Sequence, residues 1–350
     1  MSDIRSADLN AANVVGDGSR IAHFGDAGAE ATAALEGDAV FDLRHLALIA
    51  VDGEDALDFL QGQLTNDVGE VGADRAQRSA WCSPKGRVLT CFLVFRHADR
   101  LLLQLPGSLI EPTLARLRMY VLRTRVTLEN ASDAWMRMGV VGDRCEARLR
   151  HRIGRLPKTP DHIHSLEGLT VIRAPGRRPR YEILGDAPAL NALWNDCRSE
   201  AAPAGADAWE LLDIEAGIPS IGPETSDAFV PQMINLDRIG GVSFTKGCYV
   251  GQEIVARTQH LGRIKRRMYR ARWNGSAAVA PGETLEAAGE AASPKAQIVN
   301  ARAAPGGGFQ VLAVLPIEIA EDLPDTGLVL RDGSRLTLET LPYSLHDESG

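Results

Sequence analysis

Phe244-Thr245-Lys246-Gly247-Cys248-Tyr249-Val250-Gly251-Gln252-Glu253, running on through Ile254-Val255-Ala256-Arg257-Thr258 to Gly262, is the stretch on which the reading of this chain turns. Glycines bracket a lone cysteine and an aromatic residue, a lysine precedes the thiol, and helix formers follow. Gly247 and Gly251 are expected where a Cβ would block a backbone conformation or a close approach. Residues 252–261 are expected to form a short helix that Gly262 ends. Cys248 then lies just ahead of that helix, where free N–H groups, the helix dipole and the charge of Lys246 favour thiolate over thiol. The alternative is a glycine-punctuated loop whose cysteine fills space.

Two earlier blocks stand beside this one. Phe59-Leu60-Gln61-Gly62-Gln63-Leu64-Thr65-Asn66-Asp67-Val68 closes a helix opened by Asp52-Gly53-Glu54-Asp55, with Leu57, Leu60 and Leu64 on one face. It ends in an Asn-Asp turn. Trp81-Cys82-Ser83-Pro84-Lys85-Gly86-Arg87 reads as a turn leading into a buried strand over 88–95, with another strand over 101–105. Beyond it, Ser108 and Glu111 read as the capping box of a helix over 108–123.

A further stretch, 207–219, opens with Asp207 and Glu210 as a capping box and closes at Gly217 and Pro219. Glu215 falls on the apolar face and at the helix end where the dipole disfavours a carboxylate. Two local penalties point to a charge kept for a ligand, the alternative being a solvent-facing glutamate. The loop over 221–236 lacks periodicity, and loops of that length in a compact domain are usually functional.

The three blocks, in this order, resemble the YgfZ-type folate-binding proteins. These are relatives of the glycine-cleavage aminomethyltransferase (T-protein) that act in iron–sulfur cluster assembly or repair. Lys-Gly-Cys-Tyr-x-Gly-Gln-Glu at 246–253 is similar to that family's signature, and Cys248 and Gln252 stand where the transferases carry Asp and Lys. The resemblance implies an α+β, aminomethyltransferase-like fold: two α/β subdomains around a folate-type cleft, plus a small C-terminal β-barrel. It implies that Glu215 holds the pterin of a tetrahydrofolate or derivative, whose exocyclic amine and ring N–H suit one carboxylate.

Also implied are Cys248 as a reactive thiol beside Lys246, transient contact with an iron–sulfur cluster, and client iron–sulfur enzymes, radical tRNA-modifying enzymes among them. Asn66, Asp67, Lys85, Arg87, Thr90 and Gln232 are candidate cleft-lining residues, and Gly247, Tyr249, Gly251, Gln252 and Glu253 complete the signature. Thr90-Cys91 stand where the transferases carry an acidic pair, so aminomethyl transfer itself is placed in doubt.

The totals fit this picture. A chain of 350 residues suffices for two or three domains, and 45% hydrophobic with 24% charged residues is ordinary for a globular protein. No apolar run approaches a membrane span, and the N-terminal stretch is neither a secretory signal nor a transit peptide, so a cytoplasmic protein is the simplest reading. The five cysteines are scattered, odd in number and without C-x-x-C spacing, which argues against a disulfide framework, a closed zinc site or a self-held cluster. His162-x-His164 reads as a solvated pair in a loop. The net charge of −8 hides basic runs over 116–125, 144–155, 173–180 and 263–272, compatible with a polyanionic ligand or RNA but also with solvated surfaces.

The expected organisation is a flexible arm over 1–38 with room for one short Ala-rich helical turn, a discontinuous first subdomain over 39–130 and 206–265, an inserted subdomain over 131–205, and the barrel over 266–345. Three readings follow: a folate-binding accessory factor for iron–sulfur enzymes, a folate-dependent one-carbon transferase, and an RNA-binding scaffold.

Overall fold

The run Leu46–Asp52, Leu-Ala-Leu-Ile-Ala-Val-Asp, is apolar without alternation, as a strand covered on both faces requires. In the computed structural model it is an interior strand, pairing antiparallel with Arg100–Pro106 on one side and Thr127–Asn130 on the other. The structure describes residues 15–16, 19–260, 264–275, 278–288, 295–323, 327–330 and 332–345. Contacts divide the chain into two compact units. One comprises Met1–Phe59, Gly69–Gln77 and Leu93–Leu212; the other comprises Leu60–Val68, Arg78–Phe92 and Asp213–Gly350.

The first unit contains, besides Leu46–Asp52 and its partners, a six-stranded sheet. Its order is Ile163–Leu166, Leu169–Ala174, Arg180–Gly185, Met136–Val141, Ala39–Asp42, Ala202–Ala204. Only the last pair is parallel. Helices Asp143–Ile153 and Ala187–Arg198 bury Leu149, Ile153, Leu190 and Trp194 against Val40, Val140 and Ile183 of this sheet. Those positions recur at helical spacing, which is why the segments are helices and which face they bury.

Three expectations change here. Within the expected arm, Ala27–Glu36 is a helix, with Asp26 accepting from the Ala29 N–H at 2.9 Å as its cap. Ala34 is fully buried in a cluster with Phe41, Ala204 and Trp209, and the Glu30 carboxylate accepts from the N–H groups of Phe24 and Gly205. Alanines give no conspicuous periodicity, yet their small size lets a helix approach closely. Residues 1–14 and 17–18 of that arm lie outside the described residues.

The inserted subdomain over 131–205 does not separate, because Met136–Val141 pairs along Ala39–Asp42. The helix expected over 108–123 is Ile110–Arg118, preceded by the turn Gly107–Leu109, and no side chain caps it.

The second unit carries an antiparallel sheet in the order Thr284–Glu286, Lys295–Ala303, Phe309–Pro316, Arg266–Trp273, Arg335–Glu339, Leu328–Val329. A bridge between Ala287 and Leu330 joins its two edges, so the sheet curls back on itself around Ala271, Trp273, Ile298, Val311, Ala313 and Leu336. The expected small C-terminal barrel is thus a half-barrel sheet whose two edges meet at that single bridge. No helix of the described residues is long and apolar enough to cross a membrane.

Candidate functional site

All three sequence blocks meet within the second unit. The signature's helix is Gln252–His260, and Gly262, expected to end it, lies outside the described residues. Gly251 has φ +84°, and a Cβ there would stand 2.5 Å from the Ser83 carbonyl oxygen and 3.0 Å from Gly86 Cα. Gly86 has φ +67°, and its Cβ would stand 2.8 Å from Ile254 Cβ. The helix start therefore rests on the Pro84-Lys85-Gly86 turn only because both positions lack side chains. Gly247 differs from its expectation: its φ is not positive, and a Cβ would meet nothing within 4 Å.

Lys246 also differs. Its ammonium is buried and donates to the carbonyl oxygens of Leu64 at 2.8 Å and Asn66 at 2.7 Å, and it lies 5.3 Å from the centre of the Tyr249 ring. Burial lowers its pKa to about 8, against the opposing charge of Asp67. The expected charge beside the thiol is thus directed into the 64–66 turn.

That turn is held from every side. Thr65 Oγ1 donates to the Gly241 carbonyl at 2.7 Å and accepts from the Ala80 N–H at 2.8 Å. Asn66 Nδ2 donates to the carbonyls of Arg78 and Gly240 at 2.9 and 2.7 Å, and Asp67 accepts from Gln61 Nε2 at 3.0 Å. Cys248 is exposed, on the turn that precedes the helix, with the Lys246 and Tyr249 side chains buried on either side of it.

The 221–236 loop is fastened to the hairpin. Ser83 Oγ donates to Asp227 at 2.8 Å, Arg87 Nη1 to the Ala228 carbonyl at 2.5 Å, and the Val88 N–H to the Phe229 carbonyl at 2.8 Å. Gln232 is fully buried; its Nε2 donates to the Val255 carbonyl at 2.8 Å, and its Oε1 has no partner among the described residues. Asn235, at φ +58°, is equally buried, with Nδ2 on the Met268 carbonyl at 2.7 Å and Oδ1 unpartnered. Thr90 is buried, and burial pushes the Cys91 thiol up to about 12, so a neutral sulfhydryl occupies that strand position. Lys85 and Glu253 are exposed and Gln252 is half-buried.

Glu215 belongs to a second cluster. It is the last residue of the helix Ala206–Glu215, and its carboxylate accepts from Arg270 Nη1 at 2.5 Å. Arg270 Nε lies 3.3 Å from Glu339, and the Arg270 and Glu215 side chains are only 12% and 15% exposed. Just beyond the helix, Gly217 at φ +66° has its carbonyl accepting from the Tyr343 hydroxyl at 2.7 Å. Sequence reasoning named Glu215 but missed Arg270, Asn235 and Tyr343. Arg270 lay within the basic run over 263–272 and Asn235 within the aperiodic loop over 221–236; Tyr343 left no local signal. Among the described residues, no three His, Cys, Asp or Glu side chains gather as a metal site.

The half-barrel, the mixed sheets and the hairpin that receives the signature define an aminomethyltransferase-like fold. Residues 18–160 match the family model described as the GCVT N-terminal domain. The glycine cleavage system aminomethyltransferase T from Bartonella henselae has a similar fold, with a TM-score of 0.71 over 90% of this chain and 89% of that one at 16% identity. A tRNA-modifying protein YgfZ from Yersinia pseudotuberculosis serotype IB (strain PB1/+) is 32% identical over 312 residues, spanning 88% of this chain and 93% of that protein. Its counterpart of the same name from Sodalis glossinidius (strain morsitans) is 31% identical over 309 residues, 87% of this chain and 93% of that protein. The chain belongs to the YgfZ family.

Proposed function

We propose that this protein binds a tetrahydrofolate and serves as an accessory factor in the assembly or repair of iron–sulfur enzymes in the cytoplasm. Its effect on tRNA modification is then indirect, through radical enzymes among its clients; the name tRNA-modifying protein borne by its relatives accords with that. The single observation that carries this reading is the exposed Cys248 on a turn fixed by the buried side chains of Lys246 and Tyr249. A thiol so presented reaches a partner's cluster without unfolding its support, and it offers sulfur, the ligand iron–sulfur clusters take.

The residues near Glu215 fit a reduced pterin in their chemistry. A pterin's amine and ring N–H are donors, and the Glu215 carboxylate, oriented by Arg270, is an acceptor of the right shape. A bound tetrahydrofolate supplies a carrier for one-carbon units. Cys91, held as a neutral thiol, gives the chain no carboxylate for a cationic amine, which weighs against aminomethyl transfer as its task.

Titration of tetrahydrofolate against the wild type and Glu215→Ala, with circular dichroism confirming the fold of both, tests the ligand. Affinity should fall at least about tenfold in the variant, the cost of losing a charge-assisted bidentate contact; equal affinity removes the pterin role. Cys248→Ser should keep folate affinity and fail to restore an iron–sulfur enzyme's activity in cells lacking the protein. Full restoration would end the role assigned to the thiol.

A further inference from the structure

The first unit holds a cavity of about 740 Å3 where the loop after helix Asp143–Ile153 meets the edge strand Ile163–Leu166. Its volume lies in the range of small-molecule sites, about 300–1,000 Å3. Its chemistry is lopsided. Arg150, Arg155, Lys158, His162 and His164 line it, and Asp74 is its one acidic residue.

Arg155 and Lys158 are exposed, and neither has an ion pair or hydrogen bond among the described residues; Arg150 alone of the strong cations is paired, with Glu146. The carbonyls at the end of the Asp143–Ile153 helix, a negative pole, face this region, yet the cations there outnumber what that pole needs.

The loop is pre-shaped. The Asp161 carbonyl accepts from the Ala76 N–H at 2.7 Å and the Asp74 carbonyl from the Ile163 N–H at 2.7 Å. On the other side the Asp161 N–H donates to the Arg173 carbonyl at 2.8 Å, with Asp161 itself at φ +60°. His162 and His164, two apart along an extended segment, project to one side and share the cavity wall.

From this arrangement we infer that the cavity is a binding site for a phosphate ester of nucleotide size, either a free nucleotide or one nucleotide of an RNA strand. Arg155 and Lys158 hold the phosphate, as unpaired Arg and Lys do. The imidazoles offer ring donors and flat faces for a base, and Asp74 accepts from a ribose diol or a base amine. Simple phosphate would leave the carboxylate and the imidazole faces unused, and a chain of carboxylates would meet Asp74 as a like charge.

The site stands apart from the folate reading and does not depend on it. The test is calorimetric titration of the full chain with 5′-AMP, adenosine, inorganic phosphate, triglutamate and a twelve-nucleotide RNA. The titrations are repeated on the double variant Arg155→Glu/Lys158→Glu and on Lys158→Ala, each checked by circular dichroism.

5′-AMP or the RNA should bind, adenosine, inorganic phosphate and triglutamate should each bind at least about tenfold more weakly, and the double variant should lose at least about tenfold in affinity. Tighter binding of 5′-AMP assigns the site to free nucleotides; tighter binding of the RNA, with a steep salt dependence, assigns it to nucleic acid. Binding of neither, equal binding of triglutamate, or affinity unchanged in both variants overturns the inference.

Discussion

Lys246 Nζ donates to the main-chain carbonyl of Asn66 at 2.7 Å, across 180 positions of sequence. With the companion bond to Leu64, this makes the one cationic residue of the signature a buried clamp on the turn that closes the first block. The contact explains why a lysine sits there: a long stem crosses apolar packing and ends in donors for two carbonyls that would otherwise be unsatisfied.

Replacing Lys246 with Met should therefore destabilise the protein by about 2–4 kcal/mol at pH 7.5, the cost of leaving two buried carbonyls without donors. The effect has a pH signature. The folded pKa of about 8 lies below the ordinary 10.5, so burial penalises the charged form. Below pH 8 both folded and unfolded chains hold the proton and the penalty is present in full. Between about 8 and 10.5 the unfolded chain holds more protons, so stability rises with pH by up to about 1.4 kcal/mol per unit.

The neutral amine keeps two donors for its two carbonyls. The gap between wild type and Lys246→Met, measured by urea unfolding from pH 7.5 to 9.5, should widen. A gap that narrows or stays constant would contradict the buried clamp. Above that window Tyr249, whose burial raises its phenol, works in the opposite direction.

The two signature glycines should part company. Gly251→Ala meets a positive φ and a carbonyl oxygen at 2.5 Å, and should cost about 2–4 kcal/mol, a strained conformation plus a contact that backbone cannot relieve. Gly247→Ala meets open space and should change stability by no more than about 0.5 kcal/mol. Comparable midpoints for the two variants in thermal unfolding would refute the distinction.

Cysteine labelling should be sharply selective. Cys248 is exposed, Cys82, Cys145 and Cys197 are buried, and burial pushes the Cys91 thiol up to about 12. Brief treatment of the native protein with iodoacetamide at pH 7.5 should modify Cys248 alone, read by peptide mass spectrometry. The remaining four should react only in denaturant. Fast labelling at Cys82 or Cys91 in the native state would show that the hairpin opens.

Glu215 and Arg270 should be energetically coupled. Both side chains are largely buried, so a double-mutant cycle with Glu215→Gln and Arg270→Met should return a coupling of about 1–3 kcal/mol, above the exposed-pair range. A coupling near zero would leave Arg270 without the orienting role given to it above.

The blocks at 59–68, 81–87 and 244–253 were legible as special through their resemblance, in this order, to the signature stretches of a known family. What they do to one another was not. Gly251 against Gly86, and Lys246 against Asn66, are contacts between stretches far apart in the chain, and nothing local names the partner. The Ala27–Glu36 helix was legible only as a short Ala-rich turn in a flexible arm: its alanines carry little periodic signal, and its burial is set by Phe41 and Trp209 from elsewhere.

Sequence alone determined the α+β class, the strand-rich C-terminal region, the helix that ends at Gly217 and the family to which the signature belongs, since each follows from local periodicity, turn chemistry or a run of adjacent residues. Tertiary structure alone decided which signature residue is a clamp and which is presented to solvent, which cation meets Glu215, and where the unpaired Arg155 and Lys158 gather. Burial and pairing depend on what other parts of the chain bring to a position, and a residue's neighbours in sequence do not carry that information.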